Sequence, residues 1–250
     1  MSFEGRRAIV TGAASGIGKA VALHLLDEGA LVTAVDVNEA GLEDARAAGA
    51  ETLATDLSDE SGRAAVVAAA GANPTHYLVN AAGILGLKPI WDVTQADFRR
   101  IFAVNLESTW FLCRDVGRQL VEGGAIVNFS SPSARWAYTL ETAPYSATKT
   151  AIQAATRTFA IAHAPRNVRV NAISPGITDT PMQETVLREA SALRGQSYEE
   201  LSQERLKLVP LKRSAPAEEM AGVVAWMLSD TAGYLTGQTI YVDGGYIMAS

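Results

Sequence analysis

One cysteine, Cys113, occurs among 250 residues, so no intrachain disulfide can form and nothing favours an oxidising compartment. It follows an apolar run, Trp110-Phe111-Leu112, and reads as a small buried hydrophobe rather than a nucleophile. Histidine is almost as scarce. His24, His76 and His163 lie far apart without ligand spacing, and no metal site is expected. Basic residues number 21 against 27 acidic ones, a net charge of −6, and only Arg99-Arg100 and Lys212-Arg213 stand as isolated pairs. That balance argues against a nucleic-acid partner, which needs a dense basic patch. No stretch approaches ~18 uninterrupted apolar residues, so no membrane span is expected. The opening MSFEGRRAIV lacks the roughly 7–15-residue apolar core of a secretory signal. These absences leave a cytoplasmic protein acting on a small molecule.

What is present is a compact α/β pattern. Hydrophobic residues make up 48% and charged residues 19%, and no Pro/Gly/Ser-rich linker divides the chain, so residues 1–250 read as one domain. Short β-branched runs recur at Ala8–Thr11, Leu31–Asp36, Thr52–Thr55, Tyr77–Asn80, Ala125–Phe129, Val168–Ile173 and Thr239–Val242. Helical spacing separates them, as in Ile17–Leu26 and Ile152–Ile161. This rhythm predicts about seven strands in a doubly wound parallel sheet, a Rossmann fold, with helices on both faces. Such a sheet binds its ligand at the carboxyl ends of the strands, where strand order reverses. Met182–Val209 breaks the rhythm: it is long, helical in pattern and polar, and residues 182–209 are expected to form a lid over the substrate.

The first strand runs into Thr11-Gly12-Ala13-Ala14-Ser15-Gly16-Ile17-Gly18, a G-x-x-x-G-x-G turn opening the first helix. Gly12 suits the tight turn, Gly16 a close approach to pyrophosphate, and Gly18 helix–strand packing; the helix dipole favours the anion. The second strand ends at Asp36, near the interval at which an acid receives the ribose hydroxyls of a dinucleotide. A carboxylate there repels the extra phosphate of NADP, and no arginine follows in Val37-Asn38-Glu39, so NAD is the expected cofactor.

Of seven tyrosines, only Tyr145 has lysine four positions on, in Tyr145-Ser146-Ala147-Thr148-Lys149. On a helix the two side chains share a face. A phenol titrates near 10, and a neighbouring ammonium stabilises the phenolate, which suits Tyr145 to proton transfer with an alcohol or carbonyl.

Together these motifs resemble the short-chain dehydrogenase/reductase family in its single-domain form. The resemblance extends over nearly the whole chain, through TGAASGIG, Asp56-Leu57, NAAG at Asn80–Gly83, VNL at Val104–Leu106, YSATK, SPGITDT at Ser174–Thr180 and GQTIYVDGG. It implies that Tyr145 is the acid/base, that Lys149 holds the nicotinamide ribose, and that Asn105 supports a water-linked proton relay. A serine after the fifth strand would bind the substrate oxygen: Ser131 fits the strand end, and Ser133 is the alternative. Cofactor contacts implied are Gly12, Ser15, Gly16, Ile17, Gly18, Asp36, Asp56 and Leu57 at the adenosine side. Asn80, Ala81, Gly83, Tyr145, Lys149, Pro175, Gly176, Thr178 and Thr180 would line the rest of the crevice. The sequence departs from the family's frequent pair of asparagines at Asn80-Ala81. A homotetramer packing through 104–121 and 147–163 is also implied. The substrate stays open among a secondary alcohol, a polyol or sugar, and a hydroxyacyl compound. Two rival functions remain beside this one. A non-catalytic NAD(H) sensor of the same fold would not turn over; a methyltransferase shares the glycine turn but has no use for Tyr145 and Lys149. Trp91, Trp136 and Tyr138 are aromatic residues for either a substrate pocket or packing.

Overall fold

A computed structural model of the protein describes residues 2–136 and 139–248; Tyr138 lies outside the described residues. In chain order the elements are β1 (Arg7–Thr11), α1 (Gly16–Asp27), β2 (Leu31–Asp36), α2 (Glu43–Ala47), β3 (Glu51–Ala54), α3 (Glu60–Ala72) and β4 (Tyr77–Asn80). There follow α4 (Gln95–Phe102), α5 (Ser108–Asp115), β5 (Ala125–Phe129), α6 (Ala143–His163) and β6 (Arg169–Pro175). The chain ends through β7 (Thr178–Asp179), α7 (Pro181–Arg194), α8 (Tyr198–Lys207), β8 (Ala215–Pro216), α9 (Ala217–Leu228) and β9 (Thr239–Val242).

Seven strands form one sheet in the order β3-β2-β1-β4-β5-β6-β9, every neighbouring pair parallel. The order reverses between β1 and β4, and the crevice opens there. Each predicted β-branched run lies on a strand of this sheet; β2, β4, β5 and β9 keep the predicted bounds, and β1, β3 and β6 move by one or two residues. Continuous apolar runs were needed because both sheet faces are covered. Alternate residues of β1 show it: Ala8 and Val10 pack with Val21 and Leu25 of α1 and Val224 of α9. Ile9 points to the other face, with Val66 of α3, Leu112 of α5 and Ala155 of α6.

The small ribbon of β7 and β8 ties the chain after β6 to the segment before α9. Between its strands α7 and α8 build a separate apolar cluster of Leu187, Ala190 and Leu201. Each helix carries its own stop and start signals. Gly195 ends α7 in the left-handed region, and Ser197 with Glu200 forms a capping box on α8. No helix among the described residues is long and apolar enough to cross a membrane.

Candidate active site

The glycine turn follows β1 as the sequence predicts, and its geometry refines the reason for each glycine. Gly12 has φ of 69°, and a Cβ there would lie 2.8 Å from the Ala81 backbone after β4, so the turn admits only glycine. A Cβ on Gly18 would collide with the Gly12 carbonyl. These two loops thus interlock at the reversal point. Ser15 at the N-cap of α1 makes no side-chain cap, leaving the amides of the first turn without that partner.

A cavity of about 590 Å³ opens over these strand ends. Its wall includes Gly12, Ser15, Gly16, Ile17 and Gly18 from the glycine turn, with Asp36, Asp56 and Leu57 beside them. Ala81, Gly83, Ser131, Tyr145, Lys149, Pro175, Gly176, Thr178 and Thr180 complete it. Every site residue expected from the sequence therefore borders one cavity, except Asn80 and Asn105. The Asp36 carboxylate accepts from Ala14 N at 3.1 Å and Asn38 N at 2.9 Å, which fixes it at the end of β2. Asp56 accepts from Ser58 N at 2.8 Å, and that bond holds its carboxyl below the usual range, helped by Arg100.

Asn80 turns beneath the floor. Its Nδ2 donates to Asn128 Oδ1 at 2.9 Å and to Cys113 Sγ at 3.4 Å, in a buried polar cluster. Cys113 is fully buried there, and burial pushes its thiol up to about 12, well away from a reactive thiolate. His163 belongs to the same layer, with Nε2 2.9 Å from the Cys113 carbonyl, and His76 lies away from it, accepting from Arg7 N at 3.2 Å.

Asn105 lies in a π-helical turn, Ala103–Glu107, between α4 and α5 rather than at a helix cap. Its side chain is fully buried and grips Ile84 from both sides: Oδ1 accepts from Ile84 N at 2.8 Å and Nδ2 donates to Ile84 O at 2.9 Å. This grip sets Gly83 against Lys149, where an added Cβ would lie 3.6 Å from Nζ.

Tyr145 stands in the first turn of α6, which starts at Ala143 with Pro144 in the first turn and runs on through Ile152–Ile161. Lys149 is one turn later, its Nζ 5.5 Å from the centre of the Tyr145 ring, on the same cavity wall. The ammonium is buried and donates to Phe129 O at 2.8 Å; desolvation lowers its pKa from 10.5 to about 8. Ser131 follows β5, and its Oγ accepts from Ser133 N at 3.3 Å and Ser133 Oγ at 3.0 Å. Ser131 borders the cavity and Ser133 lies behind it.

Several residues on this wall escaped the sequence reading. Ser130 Oγ donates to Lys149 O at 3.1 Å and accepts from Gln153 at 2.9 Å, bracing β5 against α6. Tyr246 reaches the wall from the chain end, and nothing in its surroundings in sequence marks it. Trp136 lies 5.8 Å from the Tyr246 ring, whereas Trp91 is 91% exposed.

Comparison with known proteins agrees with this geometry. The family model described as Enoyl-(Acyl carrier protein) reductase matches residues 12–247. The chain is 34% identical to D-erythrulose reductase of Gallus gallus over 254 residues, covering 100% of this chain and 98% of that protein. Among solved structures it resembles an NAD+-bound xylitol dehydrogenase, with a TM-score of 0.91 and 31% identity, covering 98% of this chain and 100% of that one. A structure from Beutenbergia cavernae with bound NADP matches with a TM-score of 0.88 and 34% identity, covering 98% of both chains. A glycine turn, a cofactor-sized crevice and a tyrosine–lysine pair at its centre, found together with matches spanning the whole chain, mean that the protein belongs to the short-chain dehydrogenase/reductase family.

Proposed function

We propose that the chain interconverts a secondary alcohol of a polyol or sugar with its ketone, using NAD and Tyr145 as acid/base. One observation carries this reading: Tyr145, Lys149 and Ser131 border the same cavity as the glycine turn and Asp36. The donor set suits a dinucleotide. Uncapped first-turn amides of α1 meet a pyrophosphate, and Asp36 at the end of β2 receives ribose hydroxyls. Bound there, the nicotinamide supplies or accepts the hydride.

The protein's own groups handle position and proton. In oxidation, the Tyr145 oxygen takes the hydroxyl proton, and the Lys149 ammonium beside its ring favours the phenolate. Ser131 has both acceptor positions occupied by Ser133, so its own hydroxyl hydrogen is left to donate to the substrate oxygen. Ser133 is then the residue that orients it. Asn105 supports the proton path by position, holding Gly83 and Ile84 beside Lys149. Thr178 and Thr180, on the cavity wall, would hold the carboxamide end, and residues 182–209 would close over the substrate as a lid.

NAD is favoured because the Asp36 carboxylate meets a 2′-phosphate with like charge. A homotetramer in the cytoplasm fits the large apolar side chains that α4, α5 and α6 leave exposed, Phe98, Trp110 and Ile161, and the single cysteine. The relatives' reduction of D-erythrulose and oxidation of xylitol motivate the polyol class. A panel of polyols, ketoses and simple secondary alcohols, followed by nicotinamide absorbance with NAD and NADP in parallel, tests all of this. Turnover of a polyol with NAD preferred is expected. Tight NADH binding without turnover on any alcohol or ketone would instead mark a sensor.

A further inference from the structure

The crevice does not end at the reacting centre. A second cavity of about 320 Å³ adjoins it, and the two share Val186, Arg205 and Tyr246 in their walls. Arg205, on α8, therefore stands at the junction, partly buried. Among the described residues its guanidinium has no hydrogen bond or ion pair. Its neighbours on the same helical pair differ: Arg188 is paired with Glu184, and Arg194 reaches Glu141 at 3.4 Å. Glu204, the acidic side chain in the second cavity's wall, is engaged by Gln196 Nε2 at 3.3 and 3.4 Å. The remaining wall is largely apolar, with Leu87, Leu201 and Leu208.

A partly desolvated cation without a counter-charge is costly, and an apolar surround strengthens its pull on an anion. A guanidinium also offers a planar fork of donors that matches the paired oxygens of a carboxylate or phosphate. We infer that Arg205 reads an oxyanion group on the substrate, set away from the carbon that reacts at Tyr145. The inference rests on the oxidoreductase reading and narrows its substrate to acidic or phosphorylated polyols and their keto forms.

The test compares sorbitol, gluconate and sorbitol 6-phosphate as substrates of the NAD-loaded wild type, Arg205→Gln and Arg205→Lys. The same three compounds are titrated calorimetrically into the NADH-loaded proteins. The wild type should prefer at least one anionic compound over sorbitol by about tenfold or more in kcat/KM. Arg205→Gln should abolish that ratio, mainly through KM, and Arg205→Lys should keep part of it. Preference for gluconate assigns a carboxylate, and preference for sorbitol 6-phosphate a phosphate. Turnover of sorbitol with no anionic preference overturns the Arg205 inference and leaves the oxidoreductase reading standing. Arg205-dependent binding without turnover does the reverse. Neither binding nor preference for any anion in the wild type rejects Arg205 as the reader.

Discussion

The strand ends and the α7–α8 pair face each other across one crevice but are built on different terms. On the first side each site residue is held by backbone that has nowhere else to go. Gly12 interlocks with Ala81, Asn105 clasps Ile84, and Lys149 binds the carbonyl of Phe129 inside a sheet covered on both faces. On the second side the helices keep a cluster of their own, end on local caps, and lie between the two short strands of the β7–β8 ribbon. Groups that must meet a reacting atom within tenths of an ångström sit on the first side. Groups proposed to choose among substrates sit on the second, where a change of side chain leaves the two main apolar clusters untouched.

The comparison is broken most sharply by Tyr145→Phe. This change keeps the shape of α6 and removes the proton, so turnover should fall about 10²–10⁴-fold while NADH binding, followed by fluorescence, stays unchanged. Retained turnover would place the chemistry elsewhere. A paired truncation sharpens the structural half. Leu25→Ala, in the cluster between α1 and the sheet, should cost about 2–5 kcal/mol in global denaturation. Leu201→Ala should mainly open α7–α8 to limited proteolysis. Equal losses of global stability would mean that the two sides are one cooperative unit.

Lys149→Met should abolish most turnover and also carries a pH signature. The folded pKa is about 8 and the ordinary value 10.5, so within that window the unfolded chain holds a proton that the folded chain has released. Stability from this group therefore rises with pH across the window, and burial of the ammonium costs stability below it. The melting temperature of the wild type should gain on that of Lys149→Met as pH climbs from 8 toward 10.5; a constant gap would refute the burial. The smallest effect belongs to Ser133→Ala. It should lower kcat about tenfold or less by loosening Ser131, whereas Ser131→Ala should lower it further. The opposite ranking would transfer the substrate contact to Ser133.

Much of the first side was legible because strand burial and glycine geometry leave local marks. A run such as Tyr77–Asn80 is buried on both faces, Gly18 is needed by the Gly12 carbonyl within the same turn, and Gly12 takes a left-handed φ that glycine suits, although the backbone it meets, at Ala81, is distant in sequence. Asn80 shows the limit of this reading. Its motif is intact, yet the side chain turns away from the cavity to meet Asn128 and Cys113, partners 48 and 33 residues away that no local pattern reveals. The start of α6 was legible too: Tyr145–Lys149 opens a helix-patterned segment, and Pro144 occupies the first turn, where its missing N–H has no intrahelical partner to lose. Arg205 belongs to a polar stretch of ordinary composition. Its interest lies in the pairing it lacks, and pairing is a property of the folded surface.

The π-helical turn at Ala103–Glu107 sets the phase of everything after it. Each residue advances an α-helix by about 100°, and the wide turn takes up one extra residue without passing that rotation on to the helix that follows. Cys113 stays in the buried cluster against the strands, and Trp110, partly exposed, packs its edge against Phe159 of α6, because the wide turn keeps α5 in phase. Forcing all five residues into regular winding, with none removed, would swing α5 round its axis by about 100°. It would carry Cys113 from its buried place to the exposed one now held by Arg114, a fault registered along a whole helix rather than at one side chain.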